Sequence, residues 1–318
     1  MDTITERMDD SLTFDRPFPP LTPAQRYHLD VYGYVVIENT LKPAEASHIK
    51  DALYRLRDEL KQLDDPSASG PRVRDAFTAI NKPHHHYMAN LIEADPVITA
   101  YATHPFMVSM AEELIGGEAR IVEMNAHINR RDPDQRCDEP PKYNFHRGTD
   151  IPFASYTHHG LFHCNFVKTL TNLTDLGPDD GGTVVVAGSH KIDVSTKGLV
   201  KVAYEDRSLI HQVVAPAGST LLFSEALVHA TGQIRSDKER AIIITGYGST
   251  LFPYWDSGRD TGQLSESFRC QIPQQLKILF EGKASHKRGP RFRLLSMPAD
   301  ARQFELGEWN QRRLAADR

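Results

Sequence analysis

A mainly β fold with flanking helices, a sandwich or barrel braced at its N-terminal end, is what this sequence predicts, on three observations. Apolar residues recur at three to four positions through the first third and at two positions from residue 119 onward. Short β-branched and aromatic runs then occupy 161–176, 183–187, 210–215, 220–229 and 240–247, divided by the turn-forming stretches GPDDGG, SH, PAGS and RSDKE. No GxGxxG follows the first strand, which argues against a dinucleotide-binding fold.

In chain order, residues 1–21 form a polar, Pro-rich lead-in. Thr22 as N-cap and Pro23 at the first position open a short helix at about 23–30. YGYVVIENTL (32–41) reads as a turn glycine and a strand. Pro43 starts a helix to about Leu63, with Ile49, Leu53, Leu56 and Leu60 on one apolar face. Residues 64–72 are a loop, and helical segments are expected around 84–94, 96–103 and 105–115, the last stopped by Gly116 and Gly117. His84, His85 and His86 sit beside Pro83 in a loop-like stretch, where three adjacent imidazoles cannot all face one ion. ARIVEMNAHINR (119–130) then alternates: Glu123, Asn125, His127 and Asn129 share one side, Val122, Met124, Ala126 and Ile128 the other. The polar side is either solvated or the wall of a polar pocket. Toward the C-terminus, IPQQLKILF reads as a short helix and KASHKRGPRFR (283–293) as basic, solvated surface.

Composition narrows the function. The chain has 318 residues, 40% hydrophobic and 25% charged, with 37 Lys+Arg against 42 Asp+Glu and a net charge of −5. Such a chain is not disordered as a whole. Nothing in it points to nucleic acid as a partner, and no apolar run is long enough for a membrane span. MDTITERMDD lacks a signal-peptide pattern, and Cys137, Cys164 and Cys270 form no CxxC pair, so a reduced, cytoplasmic location is expected. Any metal site would use nitrogen and oxygen ligands, and the 15 histidines make one worth seeking.

Two segments carry the candidate chemistry: YNFHRGTD, with His146 and Asp150, and LLFSEALVHATGQIRSDKERAIIITGY, with His229, Arg235, Arg240 and Tyr247. A β barrel can bring both to one end of its interior. Two imidazoles and a carboxylate suit non-haem Fe(II) and leave positions open for a bidentate oxo-acid and dioxygen. Arg240 begins an apolar strand, where a buried guanidinium requires an anion such as the distal carboxylate of that acid.

These residues resemble the phytanoyl-CoA dioxygenase-like branch of the Fe(II)/2-oxoglutarate oxygenases. GYVVIENTL followed by a helix, the central FVKTLTNLTDLGPDDGGTVVVAGSHK (166–191), the spacing of eleven from His229 to Arg240, and the closing GYG carry the likeness, over roughly residues 25–250. Ala187 stands where the family usually has proline. The resemblance implies a double-stranded β-helix (jelly roll, cupin-like) core braced by N-terminal helices. It implies one oxygenase domain over 22–318: a helical bracing region at 22–118, the jelly-roll core at 119–250 and a C-terminal extension at 251–318. It also implies Fe(II), 2-oxoglutarate and dioxygen, with His146 and His229 as metal ligands and Arg240 as the 2-oxoglutarate clamp. Asn125, His127 and either Lys168 or Thr169 are expected to line the cosubstrate pocket. Glu225 reads as an orienter of His229 or as an ordinary satisfied carboxylate.

One departure matters. The family places Asp two residues after the first histidine, and this chain has His146-Arg147-Gly148. Asp150 could supply the carboxylate from a bulge. A halide could fill the gap at Gly148, as in related halogenases that carry Gly or Ala there. Alternatively, His158, His159 or His163 could be the ligand. The resemblance implies hydroxylation of a small-molecule substrate, and Arg147, Tyr156, His158, His159 and Tyr254 favour a polar metabolite. A halogenase, a non-catalytic binding module and a cupin-like isomerase stay open beside it, and the sequence leaves the oligomeric state undecided.

Overall fold

The computed structural model describes residues 20–67, 69–136, 139–149, 155–158, 160–249, 264–273 and 276–281. Helix α1 (Pro23–Tyr32) starts where the sequence predicts, through a capping box: the Gln25 N–H donates to the Thr22 hydroxyl at 3.2 Å, and the Thr22 N–H to the Gln25 side chain at 2.9 Å. Gly33 ends it at φ 84°, and a Cβ there would lie 2.4 Å from Nδ1 of His190, so both conformation and space require glycine. Strand β1 (Tyr34–Ile37) follows, and Asn39 at φ 55° turns the chain toward α2 (Pro43–Lys61). The four apolar residues predicted for one face of α2 are all buried.

Strands β2 (Phe77–Lys82) and β3 (His85–Ala89) come next. The helix expected over 84–94 is therefore a strand followed by a turn. Its residues pair with the next long strand, and that pairing imposes a period of two on a segment whose local pattern is ambiguous. Helices α3 (Pro96–Ala102) and α4 (Pro105–Ile115) then lead into β4 (Ala119–Asn129).

A hairpin of β5 (Ser155–His158) and β6 (Leu161–Cys164) precedes β7 (Phe166–Asn172), β8 (Val184–Val186) and helix α5 (Thr196–Glu205), which the sequence reading missed. The chain continues through β9 (Ile210–Gln212), β10 (Thr220–Ser224), β11 (His229–Ala230) and β12 (Arg240–Ser249). Helices α6 (Glu266–Gln271) and α7 (Lys277–Glu281) close the described chain, α7 overlapping the end of the stretch expected to be helical. The basic 283–293 stretch lies outside the described residues.

Seven antiparallel strands form one sheet in the order β1-β10-β7-β12-β4-β3-β2, and β11-β8-β9 form a second. The segment before residue 119 is thus more than a brace, because three of its strands belong to the large sheet. The alternation read in β4 decides the layering. Met124, Ala126 and Ile128 join the apolar cluster that includes Leu53 and Leu56 of α2, Tyr101 of α3 and Met110 of α4. The opposite face meets the smaller sheet through Leu170, Phe223, Ile242 and Ile244 against Val185. Three hydroxyls buried on the helical side are satisfied: that of Tyr247 donates to the Ala102 carbonyl at 2.8 Å, and those of Tyr101 and Thr171 meet at 2.6 Å. No helix among the described residues is long and apolar enough to cross a membrane.

Candidate active site

Between the sheets, a cavity of about 730 Å³ is walled by β3, β4, β7 and β12 on one side and by the 142–146 and 229–234 segments on the other. The chain leaves the large sheet at Ser224, turns, and enters the small sheet at His229, which presents that imidazole to the cavity. His146 lies beside it in an antiparallel bridge. The His146 N–H donates to the His229 carbonyl at 2.9 Å, the His229 N–H to the His146 carbonyl at 2.8 Å, and the ring centres are 4.4 Å apart. Two histidines 83 positions apart (229 − 146) thus meet, as the sequence predicted.

Their Nδ1 atoms are engaged by backbone carbonyls, His146 with Asn144 at 3.1 Å and His229 with Leu227 at 2.8 Å. That places each proton on Nδ1 and leaves Nε2 as a lone-pair donor, the form a metal requires. Burial pushes the His229 imidazolium down to about 4 despite the opposing charge of Glu225, so this ring is neutral at neutral pH.

Arg240, at the start of β12, is buried on the same cavity, and its Nη2 donates to Oγ1 of Thr183 at 3.3 Å. Nε and Nη1 are buried with no hydrogen-bond partner, and no carboxylate among the described residues pairs with this guanidinium. Burial lowers its pKa to about 10, which still leaves it cationic. A buried cation with two unmatched donors fits an incoming carboxylate.

Around these groups, Asn125 and His127 of β4 line the cavity, which resolves the two readings of that polar face in favour of a pocket wall. The His127 ring stacks on Tyr87 at 4.3 Å and 4°, with His85 on a second side at 5.2 Å. Burial, reinforced by His85, Arg240 and Lys168, holds His127 well below the usual imidazole range. His85 and Tyr87 were not expected at the cavity, because the local pattern after Pro83 is ambiguous and only pairing with β4 turns them inward. Thr169 points the other way. It is wholly buried with its hydroxyl toward the Thr245 carbonyl at 3.5 Å, and its neighbour Lys168 enters the cavity instead.

Lys168 joins two buried carboxylates. Its ammonium pairs with Oε1 of Glu123 and lies 3.3 Å from Oε1 of Glu225. Burial alone would lower the Lys168 pKa, but the two glutamates raise it and keep the charge. Burial pushes the Glu225 carboxyl up, and the neighbouring charge, Lys168 foremost, outweighs it and leaves the pKa below the usual carboxylate value. Its Oε1 is 4.0 Å from Nε2 of His229.

The remaining predicted residues are not brought to this point. Asp150, His159 and the side chain of His158 lie outside the described residues. His163 is buried elsewhere, stacked on Tyr156 at 5.2 Å with Nδ1 3.2 Å from the Leu114 carbonyl. No trio of His, Cys, Asp or Glu among the described residues is already gathered at ligand distances. A second cavity, of about 590 Å³, lies by Arg74, Glu93, Ser265 and Phe268, and no histidine lines it among the described residues.

Residues 29–242 match the phytanoyl-CoA dioxygenase (PhyH) family. The chain belongs to that family. As a PhyH-family member it is a dioxygenase, and its fold is that of the cupin-like iron/2-oxoglutarate oxygenases. It is 23% identical over 219 residues to the dioxygenase cdmD of Talaromyces verruculosus, covering 64% of this chain and 68% of that protein. Its fold is similar to HygX of Streptomyces hygroscopicus, solved with nickel and 2-oxoglutarate bound (TM-score 0.57, 22% identity, 78% of this chain and 94% of that one). EctD from S. alaskensis with bound Fe is similar too (TM-score 0.58, 17% identity, 83% and 88%). The PhyH match spans β1 to the start of β12, and so contains both histidines and Arg240.

Proposed function

We propose that this PhyH-family chain is an Fe(II)/2-oxoglutarate-dependent oxygenase that hydroxylates a small, polar metabolite. One observation carries the reading: the unmatched guanidinium of Arg240 shares a cavity with two imidazoles whose Nε2 lone pairs are free of hydrogen bonds among the described residues. The donor set fits both groups. His146 and His229 would hold the metal, and Arg240, assisted by Thr183, would hold the far carboxylate of the oxo-acid. When bound, iron and 2-oxoglutarate supply the activation of dioxygen that protein side chains cannot.

The chain's own residues do the remaining work. The Asn144 and Leu227 carbonyls fix the imidazole tautomers, and the Tyr87–His127 stack stiffens the wall over which the cosubstrate lies. Arg240 gives the cavity a buried cation with unmatched donors, which favours an anionic cosubstrate. The outer wall is polar, with His84, Asn129, Arg130, Asp132, Gln135 and Lys142, and suits a hydrogen-bonding metabolite better than a long acyl chain. HygX, a fold neighbour, has been solved with nickel, 2-oxoglutarate and hygromycin B bound.

Succinate release from 2-oxoglutarate, screened over polar metabolites with anaerobically loaded Fe(II), tests the proposal. Metabolite-dependent succinate with a product heavier by one oxygen supports hydroxylation. A chlorinated product would turn the reading to a halogenase. Absence of both the anaerobic Fe(II)–oxoacid absorption band and succinate would leave a binding module.

A further inference from the structure

The chain lacks a side chain where its family usually places the metal-binding carboxylate, yet that place is filled. A Cβ built on Gly148 would lie 1.7 Å from Oε2 of Glu225 and 2.7 Å from its carboxyl carbon. The two residues are also tied through the backbone, the Gly148 N–H donating to the Glu225 carbonyl at 2.9 Å. No residue but glycine fits at 148 while Glu225 keeps this position. The glutamate enters from the turn after β10, four residues ahead of His229, and its carboxylate is 4.0 Å from Nε2 of that histidine.

We propose that Glu225 supplies the carboxylate of the metal site in place of the side chain missing at residue 148, so that the ligand set is His146, His229 and Glu225. This rests on the oxygenase reading above. Geometry carries it: Glu225 fills the space at Gly148 and approaches His229. Two donors on one divalent ion, each bonded at about 2.1 Å, stand no more than about 4.2 Å apart, and the Glu225–His229 separation is inside that limit. Movement of about 1 Å toward His229 brings Oε1 to the closer spacing of neighbouring ligands. The carboxylate is also held in place, because Glu225 and Glu123 both face the ammonium of Lys168. Lys168 then has a defined role: it holds Glu225 under the cavity wall, at the metal position, while Glu123 anchors Lys168 from the far side. Gly148 and Glu225 form a compensating pair, with the carboxylate moved from one strand segment to its hydrogen-bonded neighbour.

Anaerobic Co(II) titration, read by the visible d–d spectrum, and the Fe(II)–2-oxoglutarate absorption band test this without turnover. The set is wild type, Glu225→Gln, Glu225→Ala, Gly148→Asp and the double variant Gly148→Asp/Glu225→Ala, each checked for fold by circular dichroism. Loss of a group that only orients a ligand costs about 10–100-fold in metal affinity. We expect more than that for Glu225→Gln, with an altered d–d spectrum. Gly148→Asp alone is expected to weaken binding, because its Cβ collides with Glu225. The folded double variant is expected to bind Co(II) again, within about tenfold of wild type. A wild-type affinity and spectrum in Glu225→Gln, or no recovery in the folded double variant, overturns the assignment of Glu225. A wild type that binds neither Co(II) nor Fe(II) overturns the oxygenase reading itself.

Discussion

Nη2 of Arg240 meets Oγ1 of Thr183 at 3.3 Å, and among the described residues this is the one hydrogen bond its buried guanidinium makes. A buried cation so poorly matched destabilises the ligand-free protein and favours the complex with a carboxylate. Arg240→Met is therefore expected to raise the melting temperature of the ligand-free protein or leave it unchanged. It should also abolish the stabilisation that added 2-oxoglutarate gives wild type. The affinity loss should be about 10–100-fold, from the roughly 1.5–3 kcal/mol of charge-assisted hydrogen bonds removed. Thermal shift against 2-oxoglutarate concentration measures both effects. A destabilised ligand-free variant with unchanged 2-oxoglutarate affinity would assign Arg240 to structure alone.

The Tyr87–His127 stack gives a second test. His127 presents a neutral, half-buried ring between Tyr87 and His85, with its Nδ1 and Nε2 of His85 3.0 Å apart. His127→Phe keeps the stacked area and removes the polar edge. We expect a higher KM for 2-oxoglutarate or substrate, by about tenfold for one lost hydrogen bond of around 1 kcal/mol plus its unpaired partner, with kcat little changed. Steady-state kinetics varying each substrate in turn separates the two. A fall in kcat at constant KM would place His127 in the chemical step.

Much of this was legible in the sequence because β4 is unambiguous. Its strict alternation separated Asn125 and His127 from Met124 and Ala126, and the two sets do face the cavity and the helices. The spacing from His229 to Arg240 survives because both flank one loop between adjacent parts of the same cavity. Other features depend on pairing partners that one segment does not encode. Residues 85–89 became a strand only through β4, and Lys168 rather than Thr169 turned inward because the register with β10 and β12 sets the face. Glu225 was visible as a residue but not as the occupant of the space at Gly148. That relation exists only once the 146–148 segment lies against the turn after β10.

Packing on the helical side sets the stability of the scaffold. Leu53 is fully buried in α2 among Ile49, Leu56 and the α3–α4 cluster. Leu53→Ala should cost about 2–5 kcal/mol, from lost transfer energy and the cavity left behind. Tyr247→Phe, which deletes only the hydroxyl donating to Ala102, should cost about 1 kcal/mol. Urea denaturation midpoints at constant m-value measure both. Equal costs for the two substitutions would contradict this division between packing and a single hydrogen bond.

Asp180 links the turn after β7 to the loop that delivers Arg240, and it provides the pH test. Its Oδ2 accepts from the Gly177 N–H at 2.8 Å and from Lys238 Nζ at 2.9 Å. The Ser236 hydrogen bond, opposed by burial and aided by Lys238 and the Gly177 amide, brings its carboxyl down from 3.8 to about 2. The folded form binds this proton less readily than the unfolded chain, so the stabilisation is complete above pH 3.8 and is lost as pH falls toward 2. Because Lys238 is largely exposed, solvent screening reduces the effect to about 1 kcal/mol. Asp180→Asn should thus be less stable than wild type by about 1 kcal/mol at pH 7, and the gap should begin to close only below about pH 4. Urea midpoints of both proteins from pH 7 to pH 3 decide it. A gap that stays constant to the acid end would mean that Asp180 acts through shape and not through charge. A gap that closes already between pH 7 and pH 5 would assign the linked proton to a histidine.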